Sequence, residues 1–130
     1  ALFYFFHALL HTPYLMRRVH SVHHSFVTTP SVAAEHAHLL EVIVGNQLPV
    51  IVVPLLCGFP FSLWLCWVFF RLIRTYATHS GYALPLLLAD MSVHHDHHHQ
   101  TASGNYGGTP LLDLWLGTYN PSWAKQAKYI

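Results

Sequence analysis

The longest apolar block of this chain covers residues 48–70, which run for 23 positions without a charged side chain. As one helix the block would extend about 34 Å, enough to cross a bilayer. Pro49, Pro54, Gly58 and Pro60 punctuate its first half. The pattern therefore predicts two apolar helices, over 42–57 and 61–77, reversing at the turn Cys57-Gly58-Phe59-Pro60. Together they make a membrane hairpin; a single tilted span is the alternative, and Trp64 and Trp67 fit either. Residues 1–12 form a second apolar block, read as the end of a membrane helix that Pro13 stops. Arg17 and Arg18 beyond it mark the cytoplasmic side of a membrane, and Arg71 and Arg74 mark the return to the interface after the long block.

Elsewhere the pattern is mixed. Thr28-Thr29-Pro30-Ser31 is a loop or helix start, with Ser31 as its candidate N-cap. Residues 33–41 read as helix. Ser103-Gly104-Asn105-Tyr106-Gly107-Gly108 is a loop by composition. Residues 111–116 form a short amphipathic helix that Gly117 closes, and 119–130 form a polar, frayed tail. The expected fold class is all-α, a membrane helical hairpin with a histidine-rich helical cap. Its 130 residues make one domain, 1–130, expected to be the C-terminal part of a longer protein.

Composition supports the membrane reading, because only 8% of residues are charged and 53% are hydrophobic. The net charge of +1 points away from nucleic acid: Arg17, Arg18, Arg71, Arg74, Lys125 and Lys128 are too few and too scattered to follow a phosphate backbone. Cys57 and Cys66 sit in the apolar block and read as small buried hydrophobes, giving neither a disulfide framework nor a thiolate zinc site.

What changes the picture is histidine, of which there are 13. His7 and His11 stand one helical turn apart. His20, His23 and His24 follow an i, i+3, i+4 pattern, and His95, His98 and His99 repeat it, so on helices each set shares a face. With His79 these make nine imidazoles, more than one ion takes and suited to two. His36 and His38 are two apart and would face different ways on a helix. Glu35 and Glu41 are candidate acceptors for ligand N–H groups, with Glu41 read as surface. Almost no carboxylate accompanies the histidines, unlike soluble di-iron bundles. Neutral ligands leave the charge of two Fe(II) ions uncancelled, which favours a strongly electrophilic oxidant after reaction with O₂. Zinc binds the same imidazoles, so a structural, hydrolytic or transporting zinc protein is the reading from a different class. A transporter would place ionisable ligands inside its spans, and 48–70 has none. The clusters flank the hairpin, which puts the site at the membrane face.

The three boxes in this order, H-x-x-x-H at His7 and His11 and H-x-x-H-H at His20 and at His95, resemble the fatty-acid hydroxylase and sterol desaturase superfamily. Within it the chain is similar to the 4-methylsterol oxidases. The matching stretches are Ala34-Glu35-His36-Ala37-His38-Leu39-Leu40-Glu41, Arg71-Leu72 with His79-Ser80-Gly81-Tyr82, His94-His95-Asp96-His97-His98-His99, Gly104-Asn105-Tyr106, and Asp113 with Gly117-Thr118. The resemblance implies a membrane monooxygenase of the endoplasmic reticulum or of bacteria, with its metal site on the cytoplasmic side. Two non-haem irons would use O₂ and electrons from NAD(P)H, passed on by cytochrome b5 or a reductase. The substrate would be a sterol whose 4-methyl group is oxidised stepwise to alcohol, aldehyde and carboxylate. A sterol desaturase or a fatty-acid or lipid hydroxylase of the same superfamily is the runner-up. Box ligands carry over to His7, His11, His20, His23, His24, His95, His98 and His99; His79 matches a further ligand, and His38 and His94 match additional family histidines. Glu35, Asp96, Asn105 and Asp113 are the expected supports of those ligands. The chain departs from the family at Ala8, where an arginine is usual; at Arg74 and Ala77, where acids are frequent; at His97, often aromatic; and at Tyr119, often an acid.

Overall fold

The computed structural model describes residues 1–82 and 89–121 of the chain. Its described residues form helices and turns and no strand. Helix α1 is Leu2–Leu10, with His11 at its C-cap. Pro13 opens helix α2, residues 13–20, because a proline is tolerated at the first helical position, where no N–H is needed. Its second part, Met16–His20, is a widened π turn. Two short 3₁₀ turns follow, at His23–Ser25 and Ser31–Glu35. Helix α3 is Leu39–Leu56, α4 is Phe61–Thr78, α5 is Ala89–Thr101 and α6 is Pro110–Leu116.

The turn at 57–60 separates α3 from α4 as the prolines and glycine predict, with Gly58 at φ +63. The Trp67 indole N–H donates to the Val50 carbonyl at 3.1 Å and ties the two helices together. α3 begins three residues earlier than expected, at Leu39, and runs through Pro49 and Pro54 without ending. A proline ring clashes with the carbonyl four residues back. The widened turn Val42–Gln47, just before Pro49, is the kind of distortion that relieves such a clash. α3 is the one described helix long and apolar enough to cross a membrane, with mean hydropathy 1.9 over 18 residues.

Five local expectations need correction. Residues 33–41 are not one helix: His36 and His38 are extended, and the His38 side chain accepts the Leu40 N–H at 3.2 Å, so it caps α3. Ser31 is the first residue of a 3₁₀ turn, and Pro30 takes the cap position. Cys57 and Cys66 are exposed on the helix pair rather than buried. Glu41 is buried, only 4% exposed, rather than on the surface. Tyr119 and Asn120, placed in the frayed tail, are pinned: the Asn120 N–H donates to Asn105 Oδ1 at 2.8 Å. The rest of that tail, 122–130, lies outside the described residues.

The core is inverted relative to a water-soluble domain. Among the described residues, six hydrophobic side chains and two prolines, Pro49 and Pro54, are buried against fifteen polar ones, so burial here serves polar groups. The outer faces of α3 and α4 expose Ile43, Ile51, Leu55, Leu56, Phe61, Leu65, Phe69 and Phe70 instead. Extensive exposed apolar surface of this kind marks contact with lipid or another protein.

Candidate metal centre

Nine histidines occupy the interior, in two groups. His7, His11, His20, His24 and His98 form the first; His23, His79, His95 and His99 form the second. Within each group the donor atoms all lie within 4.8 Å of one another. The local spacing explains who goes where. His7 and His11 are an i, i+4 pair, as are His20 and His24, and all four join the first group. The i, i+4 pair His95 and His99 joins the second. The remaining histidine of each triplet crosses over: His23 to the second group, His98 to the first. His95, His98 and His99 share one face of α5, as their spacing predicts, and still divide between the two groups; 20–24 is a π turn and a 3₁₀ turn rather than regular helix. The groups adjoin, with the His24 and His99 rings stacked at 4.4 Å between centroids.

Outer nitrogens are held by backbone. Nδ1 of His7 meets the Tyr106 carbonyl at 2.7 Å, His98 that of Gly104 at 2.6 Å, and His23 that of His36 at 3.2 Å. His79 meets Thr75 at 2.9 Å and His99 meets Phe26 at 3.1 Å. A carbonyl only accepts, so these five Nδ1 atoms carry the proton and each Nε2 presents a lone pair inward. The Nε2 atoms then face one another. In the second group His79–His23 is 3.3 Å, His95–His79 is 2.9 Å and His99–His95 is 3.2 Å. In the first, His7–His20, His11–His98 and His98–His24 are each 3.1 Å and His20–His11 is 3.0 Å. His23 and His79 have both committed their protons outward, so their contact is lone pair against lone pair. Such a contact is repulsive unless a cation is shared.

Burial keeps these imidazoles neutral. The His23 side chain is pulled down to about 3 and His24 to about 4, chiefly by desolvation, then by neighbouring histidines. Desolvation also lowers His20, His79, His95, His98 and His99, joined at all of them but His79 by neighbouring histidines. One carboxylate enters this setting: Glu41 Oε1 lies 2.9 Å from His20 Nδ1. The approach is off the line of the N–H, so it is an electrostatic contact rather than a formed hydrogen bond. Sequence reasoning put Glu41 on the surface. The available signal was its position at the start of an apolar helix, where a carboxylate is costly unless it has a partner.

The other expected supports act at one remove. Asp113 is fully buried and collects the Tyr106 N–H at 2.7 Å, the Gly107 N–H at 2.8 Å and the Thr118 hydroxyl at 2.7 Å. It thereby fixes the loop whose Tyr106 carbonyl holds His7. Gly107 is required there, because a Cβ would stand 2.7 Å from Asp113 Oδ2. Asn105, at φ +54 and fully buried, clasps Asn120. Asp96 faces the Thr29 N–H and hydroxyl at 3.5 Å and Gln100 at 2.7 Å, and Glu35 is exposed. His38 and His94 stand outside both groups: His38 caps α3, and His94 is buried 3.8 Å from Asp113, stacked on Tyr119. At the departures from the family pattern, Arg74 donates to the Gly108 carbonyl at 2.7 Å, and Ala77 and His97 are buried.

A cavity of about 120 Å³ opens against the histidines. His7 and His20 of the first group and His23, His79 and His95 of the second line it, opposite Phe3, Leu10, Val50, Val68 and Leu72. The cavity thus combines apolar side chains with imidazoles, and Glu35, Glu41, Asn46, Gln47, Arg71 and Arg74 also line it.

Helices that fold inward onto two adjoining groups of histidine lone pairs define a histidine-box protein. The chain belongs to the fatty acid hydroxylase family, whose model matches residues 1–118. It is similar to fatty acid hydroxylase domain-containing protein 2 of Homo sapiens, 39% identical over 117 residues covering 90% of this chain and 34% of that protein. It is 40% identical over 125 residues to very-long-chain aldehyde decarbonylase GL1-11 of Oryza sativa subsp. indica, covering 88% of this chain and 46% of that one. Methylsterol monooxygenase 1 of Rattus norvegicus is 38% identical over 112 residues, covering 82% and 38%. The chain therefore spans roughly a third to a half of the length of these relatives. No solved structure matches it.

Proposed function

We propose that this chain forms the catalytic part of a membrane-bound non-haem di-iron oxygenase that oxidises a C–H bond of a sterol or other lipid. The specific reaction proposed is stepwise oxidation of a sterol 4-methyl group to alcohol, aldehyde and carboxylate. The observation that carries the reading is the convergence of inward-facing Nε2 lone pairs in groups of five and four. The donor set fits two ions: nitrogens about 2.1 Å from one ion and at right angles to each other are about 3 Å apart, and the Nε2 separations here run from 2.9 to 3.3 Å. The nine proposed ligands are His7, His11, His20, His23, His24, His79, His95, His98 and His99; His38 and His94 are assigned no ion.

Two iron ions held there would supply the activation of O₂ and the oxidation of the substrate, with electrons from NAD(P)H through a donor such as cytochrome b5 or a reductase. The protein's part is positioning and exclusion. Backbone carbonyls fix the imidazole tautomers, Asp113 fixes the loop behind His7, and Glu41 stands behind His20. The apolar wall of the cavity receives the lipid and keeps water from the reacting carbon. α3 and α4 form the membrane anchor, and the site lies at its cytoplasmic face, in the endoplasmic reticulum of a eukaryotic host. The likeness to methylsterol monooxygenase 1 supports the sterol reading, beside equally similar relatives named for fatty acids and very-long-chain aldehydes.

Metal analysis of the full-length protein, purified in mild detergent from iron-supplemented cells, tests the reading together with O₂ uptake. Two irons per chain, and reductant-driven O₂ uptake that rises with a 4-methylsterol, are expected. Zinc alone after iron supplementation, with no O₂ uptake, overturns it in favour of a hydrolytic or structural zinc protein.

A further inference from the structure

The cavity beside the histidines has a cationic edge that the metal site does not use. Arg71 and Arg74 stand three residues apart on α4, so both side chains leave one face of the helix, and both line the cavity. Each is half-buried. Arg74 Nη2 donates to the Gly108 carbonyl, while the Arg71 guanidinium lies 6.0 Å over the Phe3 ring and has no hydrogen bond to a described residue. Among the described residues, neither guanidinium has a carboxylate within ion-pair distance. The two acids that line the same space are engaged elsewhere: Glu35 interacts with the Tyr76 hydroxyl, and Glu41 stands against His20. Two half-buried like charges on the wall of one cavity, neither with a carboxylate at ion-pair distance among the described residues, are unfavourable by themselves. The planar fork of a guanidinium matches a carboxylate in a two-pronged contact.

We propose that Arg71 and Arg74 form a carboxylate-binding subsite on the wall of the histidine-lined cavity, so that the apolar molecule held there bears an acid group. The inference rests on the reading of this cavity as the lipid site. It places the acid close to the imidazole wall rather than out in solvent, since both arginines and five of the nine histidines face one space. Two sources supply that chemistry, a fatty acid or a sterol acid, the latter including the acid end of a stepwise methyl oxidation.

Equilibrium binding of radiolabelled pairs to the full-length protein in nanodiscs, counted above empty nanodiscs at pH 8, separates the cases. The pairs are hexadecanoate with hexadecanol, and cholanic acid with its alcohol. A charge-assisted contact predicts that the acid of at least one pair binds about tenfold or more tighter than its alcohol. Preference in the linear pair assigns a fatty acid, and preference in the steroid pair a sterol acid. Arg71→Gln, which leaves the Arg74–Gly108 contact in place, is expected to abolish the preference, and Arg71→Lys to retain part of it. Equal affinity for acid and alcohol in both wild-type pairs overturns the proposal while leaving the lipid site standing. Saturable binding of none of the four ligands overturns both.

Discussion

His20 Nδ1 and Glu41 Oε1 lie 2.9 Å apart, with 1% and 4% of their side chains exposed. This is the one carboxylate contact to the nine histidines among the described residues; the other outer nitrogens with a close partner meet backbone carbonyls. Glu41 is therefore a positioning residue for His20. Glu41→Gln keeps the volume and replaces the carboxyl group with an amide. The first group is expected to lose metal affinity by about 10–100-fold, as is typical when such a support is removed, while the second group keeps its ion. Chelator competition followed by metal counting reads this directly. Equal weakening of both ions would show that Glu41 acts on the fold and not on His20.

His95 and His36 separate ligand from bystander. His95 is buried, with Nε2 at 2.9 Å from His79 and 3.2 Å from His99. His95→Ala is expected to abolish turnover and lower the metal count. The His36 ring is exposed and lies edge-on to Phe26 at 5.1 Å, while its backbone carbonyl serves His23. His36→Phe keeps that carbonyl and is expected to keep full metal. Full activity in the first variant, or metal loss in the second, sinks the assignment of those two residues.

Asp113 receives two backbone N–H groups and a hydroxyl while fully buried. Asp113→Ala leaves those donors without an acceptor, at a cost of about 1–3 kcal/mol each. The loop that presents the Tyr106 carbonyl to His7 loosens with it. The expected result is a lower melting temperature and weaker metal binding in the first group, beyond what Leu112→Ala on the same helix produces. Gly107→Ala should reproduce the effect, because its Cβ would meet Asp113 Oδ2. Unchanged melting in both variants would show that the loop is held by something else.

How far the site was legible depends on what kind of atom does the holding. The i, i+4 spacing of His7 and His11 and of His95 and His99 foretold that each pair would converge, because helix geometry alone sets it. Splitting of the triplets was hidden, since it depends on the π turn at Met16–His20 and on how α5 packs between the two groups. Backbone carbonyls of Tyr106, Gly104 and His36 carry no side-chain signature, so no reading of residue types finds them. Glu41 was misplaced for a different reason. In a water-soluble helix a charged residue beside leucines faces out, whereas here Leu39 and Leu40 face out and the carboxylate faces in. The turn at 57–60 was legible because Gly58 and Pro60 act locally, while the continuity of α3 through two prolines depends on a widened turn that no local rule announces.

Acid should unfold the metal-free protein well above the pH at which carboxylates titrate. His23 and His24 have folded values of about 3 and about 4, against an ordinary value near 6.5 in the unfolded chain. Between those limits the unfolded chain binds more protons than the folded one, so stability rises with pH across the interval. The contribution is complete above about pH 6.5 and is lost progressively as pH falls toward the folded values. Chelator-treated protein is therefore expected to melt at a lower temperature at pH 5 than at pH 7.5. Metal-loaded protein should resist the drop, because bound ions compete with the protons for the same Nε2 lone pairs. A metal-free melting temperature that does not change between pH 5 and 7.5 would mean that these imidazoles are not held neutral in the fold, and the case for inward-facing lone pairs would fail with it.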